Sequence, residues 1–242
     1  MTIKLPPLPT LSAADKYRQF LERKTHVTGN FGFEPLWMPE SGFDFQKHII
    51  AKAVRKGRMG LFVDTGLGKT MMELSIAENI VRKTNKRVLI LTPLAVAFQF
   101  IDEAARIGVD DIEHSRDGKF TKMIVVCNYE RLHLFNPDDF ICVIPDESSI
   151  LKNFAGKTRD QVVAFIKKVP YRFLATATPS PNDFIELGNS SEALGYMGYM
   201  DMLTKFFKSN QSSADSNARV GEKFHLKAHA EKDFFAWVNQ WA

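Results

Sequence analysis

Only two cysteines occur among the 242 residues, Cys127 and Cys142. Both lie in apolar, strand-like runs, as buried free thiols do, so neither a disulfide framework nor a zinc site is supported. No uninterrupted apolar run is long enough to span a bilayer. The opening Met1-Thr2-Ile3-Lys4-Leu5-Pro6-Pro7 has no apolar stretch of the kind a secretion signal needs. The expected protein is intracellular and soluble, with no membrane partner. Charge of one sign does not dominate either: the net charge is +4 and the sequence pI about 9.0. That balance permits a nucleic-acid partner without demanding one. Internal repeats and long low-complexity segments are absent. Hydrophobic residues make up 45% of the chain, ample for one large domain, or one domain with a helical appendage.

Pattern divides the chain into three parts. Residues 1–12 are proline-rich and read as an arm; Tyr17, Phe20 and Leu21 recur at helical spacing, which predicts a helix over 13–24. Residues 25–42 read as a loop anchored by Phe31, Phe33 and Trp37. A helix over 45–54 should end near Gly57. Strands then alternate with helices: strands at 60–64, 87–92, 123–127, 140–144 and 171–176, helices at 68–83, 95–106 and 156–168. Short apolar strands without polar alternation are buried on both faces, and helices between them imply a mainly parallel sheet in a three-layer α/β fold. Beyond Pro181, helices are expected over 182–195, 199–208 and 229–242. Phe234, Val238 and Trp241 form a stripe on the last of these that needs a surface to bury against. The polar stretch 209–222 reads as a mobile loop. The expected domains are 1–42 (arm, helix and aromatic loop), 43–195 (the α/β lobe) and 196–242 (helical extension).

The strongest chemical signal is Asp64-Thr65-Gly66-Leu67-Gly68-Lys69-Thr70, set between an apolar strand and a helical pattern. Thr65 to Gly68 would cradle phosphates with backbone N–H groups at a helix N-terminus. Lys69 adds charge at the β/γ-phosphates and Thr70 a hydroxyl for Mg²⁺. Val63 stands where the full G-x-x-x-x-G-K-[ST] pattern has its first glycine. Adjacent acids follow another strand, at Pro145-Asp146-Glu147-Ser148-Ser149. Asp146 is placed to hold Mg²⁺ and Glu147 to orient and deprotonate a water. An acidic N-cap for the next segment is the competing reading.

Taken together these segments resemble the superfamily 2 helicases, and their Swi/Snf-like translocase branch in particular. Asp64–Thr70 looks like motif I, Leu91-Thr92-Pro93 like motif Ia, and Asn128-Tyr129-Glu130 like the segment between motifs Ia and II. Asp146-Glu147-Ser148-Ser149-Ile150-Leu151-Lys152-Asn153 resembles motif II, the DEAD/DEAH box, and Leu174-Ala175-Thr176-Ala177-Thr178-Pro179 resembles motif III. Phe45-Gln46 resembles the glutamine ahead of motif I. The tail also looks like helicase-like proteins of bacteriophages. The resemblance implies the first RecA-like lobe of an ATPase that uses ATP and Mg²⁺. It gives Gln46 the adenine edge, with Phe43 a candidate to stack on the base. It makes Thr176 and Thr178 the link between nucleotide and nucleic acid. Pro93, Asn128, Tyr129 and Lys152 would lie along the nucleic-acid groove, on double-stranded DNA. The implied setting is the cytoplasm of a bacterium or phage-infected host.

Two departures stand out. Ser148-Ser149 replaces Ala-His of the DEAH form, which puts the coupling between motifs II and III in question. A second RecA-like lobe, the source of an arginine finger in this family, does not fit in the roughly sixty residues after Pro179. Arg219 has no motif around it. Full activity would then need a second lobe in cis or trans. The competing function is a nucleotide-binding regulatory or decoy module without turnover. A small-molecule kinase ranks below both, because it has no use for motif III or the Leu-Lys-Asn box.

Overall fold

The structure is a computed structural model, and it describes residues 31–149, 157–180, 183–209 and 224–242. The expected arm and helix within 1–24, Lys152 with its Leu-Lys-Asn box, Arg219 and nearly all of the expected mobile loop lie outside the described residues.

Helix α1 (Asp44–Lys56) runs into strand β1 (Arg58–Phe62) through Gly57. Helix α2 (Lys69–Thr84), β2 (Arg87–Thr92), α3 (Ala97–Ile107), β3 (Ile112–His114), β4 (Ile124–Asn128) and β5 (Phe140–Pro145) follow. Then come α4 (Lys157–Lys168), β6 (Tyr171–Thr176), α5 (Leu187–Leu194) and α6 (Tyr199–Phe206). A short antiparallel pair, β7 (Phe207–Ser209) with β8 (Phe224–Leu226), precedes α7 (Glu231–Val238).

The main sheet has six strands in the order β1-β6-β5-β2-β4-β3. Every pairing in it is parallel. Its central strands are buried on both faces, and alternate residues serve opposite sides. Val88, Ile90, Ile124, Val126 and Ile144 meet Ile50, Val54, Met72, Ile76 and Ile80 of α1 and α2. Leu89, Leu91, Val125, Val143 and Leu174 face the other way, toward Val162 and Ile166 of α4 and Leu194 of α5. This is the three-layer α/β fold that the alternating pattern predicts.

Element ends shift by a few residues, as in β1 at 58–62 in place of 60–64 and α7 at 231–238 in place of 229–242, and three further details differ from the sequence reading. Ile112–His114 adds an edge strand, too short and too polar to show as an apolar run. Residues 207–209 extend as a strand where the helical pattern was expected to continue, because Phe207 leaves α6 to pair with Leu226. Residues 129–134 form a 3₁₀ turn that no pattern announced.

The C-terminal stripe finds its surface on the sheet itself. Phe234 and Trp241 are fully buried in the same core as Leu89 and Leu174. The Trp241 ring meets Phe62 edge-on at 5.8 Å. Its carbonyl accepts the Gly60 N–H at 2.7 Å, so the last residues satisfy a donor on the outer side of edge strand β1.

Candidate active site

Strand order brings the chemical segments together. β1, β6 and β5 are neighbours, so the turn after β1, Thr176–Pro179 after β6 and Asp146–Ser149 after β5 share one rim, the carboxyl end of a parallel sheet.

The turn after β1 depends on two glycines in the left-handed region, Gly66 at φ +80° and Gly68 at φ +79°. A Cβ on Gly66 would meet nothing within 4 Å, so the cradle is open there. A Cβ on Gly68 would lie 2.4 Å from Gln46 Nε2. Gln46 itself is buried. Its Nε2 donates to the Leu67 carbonyl at 2.9 Å, and its Oε1 accepts the Phe43 N–H at 2.9 Å. Gln46 therefore ties the start of α1 to the phosphate turn. Phe43 is 68% exposed and stacks on Phe45 with ring centroids 6.2 Å apart. Thr65 and Leu67 sit on the exposed side of the turn, and Thr70 is half-buried in the first turn of α2. That helix starts with no side-chain cap and no acid in its first turn, so its leading N–H groups are not claimed by a capping side chain.

Lys69 reaches across to both acids: Nζ lies 3.8 Å from Asp146 Oδ1 and 3.6 Å from Glu147 Oε2. Asp146 is held from several sides. Its N–H donates to the Leu91 carbonyl at 2.7 Å, its carbonyl accepts the Tyr129 hydroxyl at 2.7 Å, and Thr92 Oγ1 donates to Oδ2 at 3.4 Å. Burial raises the Asp146 carboxyl above its ordinary pKa, and the charge on Lys69 opposes the rise. Glu147 sits at φ +51°, a conformation uncommon for a side chain of its size. Its Oε1 accepts both the Thr176 hydroxyl, at 3.0 Å, and the Ser149 hydroxyl. Burial pushes the Glu147 carboxyl up. The hydroxyls of Ser149 and Thr176 and the charge on Lys69 outweigh it and leave the group below its ordinary value. Thr178 enters this network through its backbone, whose N–H donates to Thr176 Oγ1 at 3.0 Å.

One residue here escaped the sequence reading. Glu73 is completely buried, and burial raises its carboxyl well above the ordinary range, with the charge of Asp146 next in effect. The signal was present: Glu73 lies one turn after Lys69 and between Met72 and Ile76, so it shares the buried face of α2.

The residues expected along a nucleic-acid groove are placed differently from one another. Pro93 is half-buried at the end of β2. Asn128 and Tyr129 are enclosed, at 1% and 2% exposure. Asn128 Nδ2 donates to the Thr92 carbonyl at 3.4 Å, and Tyr129 braces Asp146 from below.

The donor set suits a magnesium nucleotide. Among the described residues no group of three His, Cys, Asp or Glu side chains could hold a metal. A cation here would draw on Asp146, Thr70, phosphate oxygens and water, the usual manner for Mg²⁺. The open cradle at Gly66 and the uncapped helix start suit a triphosphate.

Residues 41–181 match the family described as the res subunit of type III restriction enzymes. The chain belongs to that family. Solved structures that share its fold include the following three. The *Sulfolobus solfataricus* SWI2/SNF2 ATPase core in complex with dsDNA aligns with a TM-score of 0.58 and 19% identity, over 72% of this chain and 40% of that one. The UvsW helicase from bacteriophage T4 aligns at 0.52 and 17%, over 78% of this chain and 67% of that one. The *Pyrococcus furiosus* Hef helicase domain aligns at 0.51 and 19%, over 63% and 36%. These likenesses show a RecA-like α/β fold, and the chain spans about 40% of the length of the SWI2/SNF2 core. No curated protein sequence matches the chain. Among the described residues no helix is long and apolar enough to cross a membrane.

Proposed function

We propose that this chain is the ATP-binding lobe of a DNA-dependent ATPase, translocase or helicase, which hydrolyses Mg·ATP and couples the hydrolysis to movement on nucleic acid. The carrying observation is Lys69 set between Asp146 and Glu147 at the mouth of an open glycine turn. In this reading Thr65 to Thr70 hold the triphosphate through backbone N–H groups, with Lys69 at the β/γ-phosphates. Asp146 and Thr70 hold the metal, which neutralises phosphate charge when bound. Glu147, kept ionised by its neighbours, takes the proton of the attacking water. Gln46 and Phe43 border the base. Thr176 relays the position of Glu147 to the adjoining rim, where nucleic acid, double-stranded DNA in the leading case, would lie. A second RecA-like lobe, in cis or trans, supplies a cationic group to the γ-phosphate, and turnover without that lobe is slow.

One observation favours the competing reading, a nucleotide-binding regulatory module without turnover: both oxygens of Glu147 are engaged, by Thr176, Ser149 and Lys69. Steady-state phosphate release, measured alone and with duplex DNA, single-stranded DNA or RNA, separates the two. Turnover that rises with a nucleic acid supports the motor. Tight nucleotide binding with no release under any condition supports the module.

A further inference from the structure

The rim continues past the nucleotide half of the sheet. Strands β2, β4 and β3 are neighbours, and their carboxyl ends lie beyond Asp146 in that order. Leu94 follows β2, Phe98 lies in the first turn of α3, Arg116 follows β3, and Arg131 lies in the 3₁₀ turn after β4. Leu94 is 66% exposed and Phe98 58% exposed. Phe98 is nevertheless held in place. Its ring meets His114 edge-on at 5.5 Å, and the Arg116 guanidinium lies over it, 5.2 Å from the centroid. Arg131 in turn donates to the Arg116 carbonyl. Of the acids on these loops, Asp117 pairs with Lys119 at 3.9 Å, and Glu130, next to Arg131 in the 3₁₀ turn, is exposed to solvent. Among the described residues neither Arg116 nor Arg131 has an acid at ion-pair distance.

An aromatic ring fixed at the surface, layered with a guanidinium and flanked by a second unneutralised arginine, is a combination suited to unstacked bases on a phosphate backbone. We propose that Phe98 and Arg116, with Arg131 beside them, form a platform for single-stranded nucleic acid. The ring or the guanidinium layered on it stacks on a base, and the two arginines take phosphates. A duplex, whose bases stack on one another, can use only the arginines. Phe98 is then the residue that distinguishes a melted or single strand from a duplex. The proposal rests on the reading of the chain as part of a nucleic-acid motor.

The test is fluorescence anisotropy of the full chain with a labelled oligothymidylate and a labelled blunt duplex over a range of salt, alongside binding of a fluorescent ATP analogue. Phe98→Leu keeps an apolar contact with His114 but removes the ring. It should weaken oligothymidylate binding about tenfold, leave duplex and ATP-analogue binding unchanged, and be rescued by Phe98→Trp. Arg116→Ala and Arg131→Ala should weaken both probes, each lowering the single-strand salt slope by roughly 0.7. The platform is overturned if Phe98→Leu binds oligothymidylate like the wild type, or weakens both probes equally. A wild-type chain that binds the ATP analogue but neither DNA at low salt overturns the motor reading, and the platform with it.

Discussion

The Thr176 hydroxyl donates to Glu147 Oε1 at 3.0 Å, across the join between β6 and β5. The Ser149 hydroxyl reaches the same oxygen, so the two strand ends are linked through one carboxylate. The Ser148-Ser149 pair, which as sequence put coupling in question, supplies through Ser149 its own connection to Glu147.

Thr176→Val tests that link. The substitution keeps the shape and removes the donor, leaving Glu147 with Ser149 and Lys69. Nucleotide affinity should be unchanged and turnover should fall roughly tenfold, the rate equivalent of about 1.4 kcal/mol. A nucleic-acid-stimulated rate should fall further than the basal rate. Equal kcat for the variant and the wild type would remove Thr176 from the mechanism.

Gly68→Ala separates two reasons for a glycine. At φ +79° a side chain costs about 1–2 kcal/mol, and its Cβ would also drive into Gln46 Nε2. The single variant should bind a fluorescent ATP analogue at least tenfold more weakly, by displacing the turn that donates to phosphate. Adding Gln46→Ala relieves the collision and not the backbone strain, so it should restore affinity only in part. Full restoration would assign the whole effect to Gln46.

Much of this arrangement is legible in the sequence alone. Strand-turn-helix around Gly66 and Gly68, and acids at the end of an apolar strand, are local patterns, and parallel topology follows from strands buried on both faces. What stayed hidden depends on neighbours distant in sequence. Tyr129 reads as a rim residue but is enclosed because its hydroxyl is needed under Asp146. Ile112–His114 becomes a strand only because β4 offers it an edge. Phe234 and Trp241 announced a hydrophobic face, but nothing local said that the face was that of the sheet itself.

Glu73 gives the stability a pH dependence. Burial makes its carboxyl hold the proton to a higher pH in the folded chain than in the unfolded chain, which releases it near the ordinary value of 4.5. Above that pH the unfolded state binds fewer protons, so this group subtracts stability as pH rises, until its own folded pKa is reached. Glu73→Gln ionises in neither state. In magnesium-free buffer the gap between its Tm and that of the wild type should be constant below about pH 4.5 and shift in favour of the variant as pH rises above it, up to the folded pKa of Glu73. Parallel Tm profiles across that range would mean that Glu73 is charged in the folded protein.

Trp241→Ala tests whether the C-terminal segment belongs to the core. Trp241 is fully buried, packs on Phe62 and on Trp237 at 5.4 Å, and its backbone closes the outer side of β1 at Gly60. Removing a buried indole costs about 3–5 kcal/mol. In a chain of this size each kcal/mol lowers Tm by about 2–4 °C. The variant should therefore melt roughly 10 °C lower in one transition, and still bind the ATP analogue at low temperature, since among the described residues no hydrogen bond or ion pair joins Trp241 to the turn at 64–70. A variant that melts with the wild type would show that the segment rests on the lobe without stabilising it. Loss of the transition's cooperativity would show instead that α7 unfolds as a unit of its own.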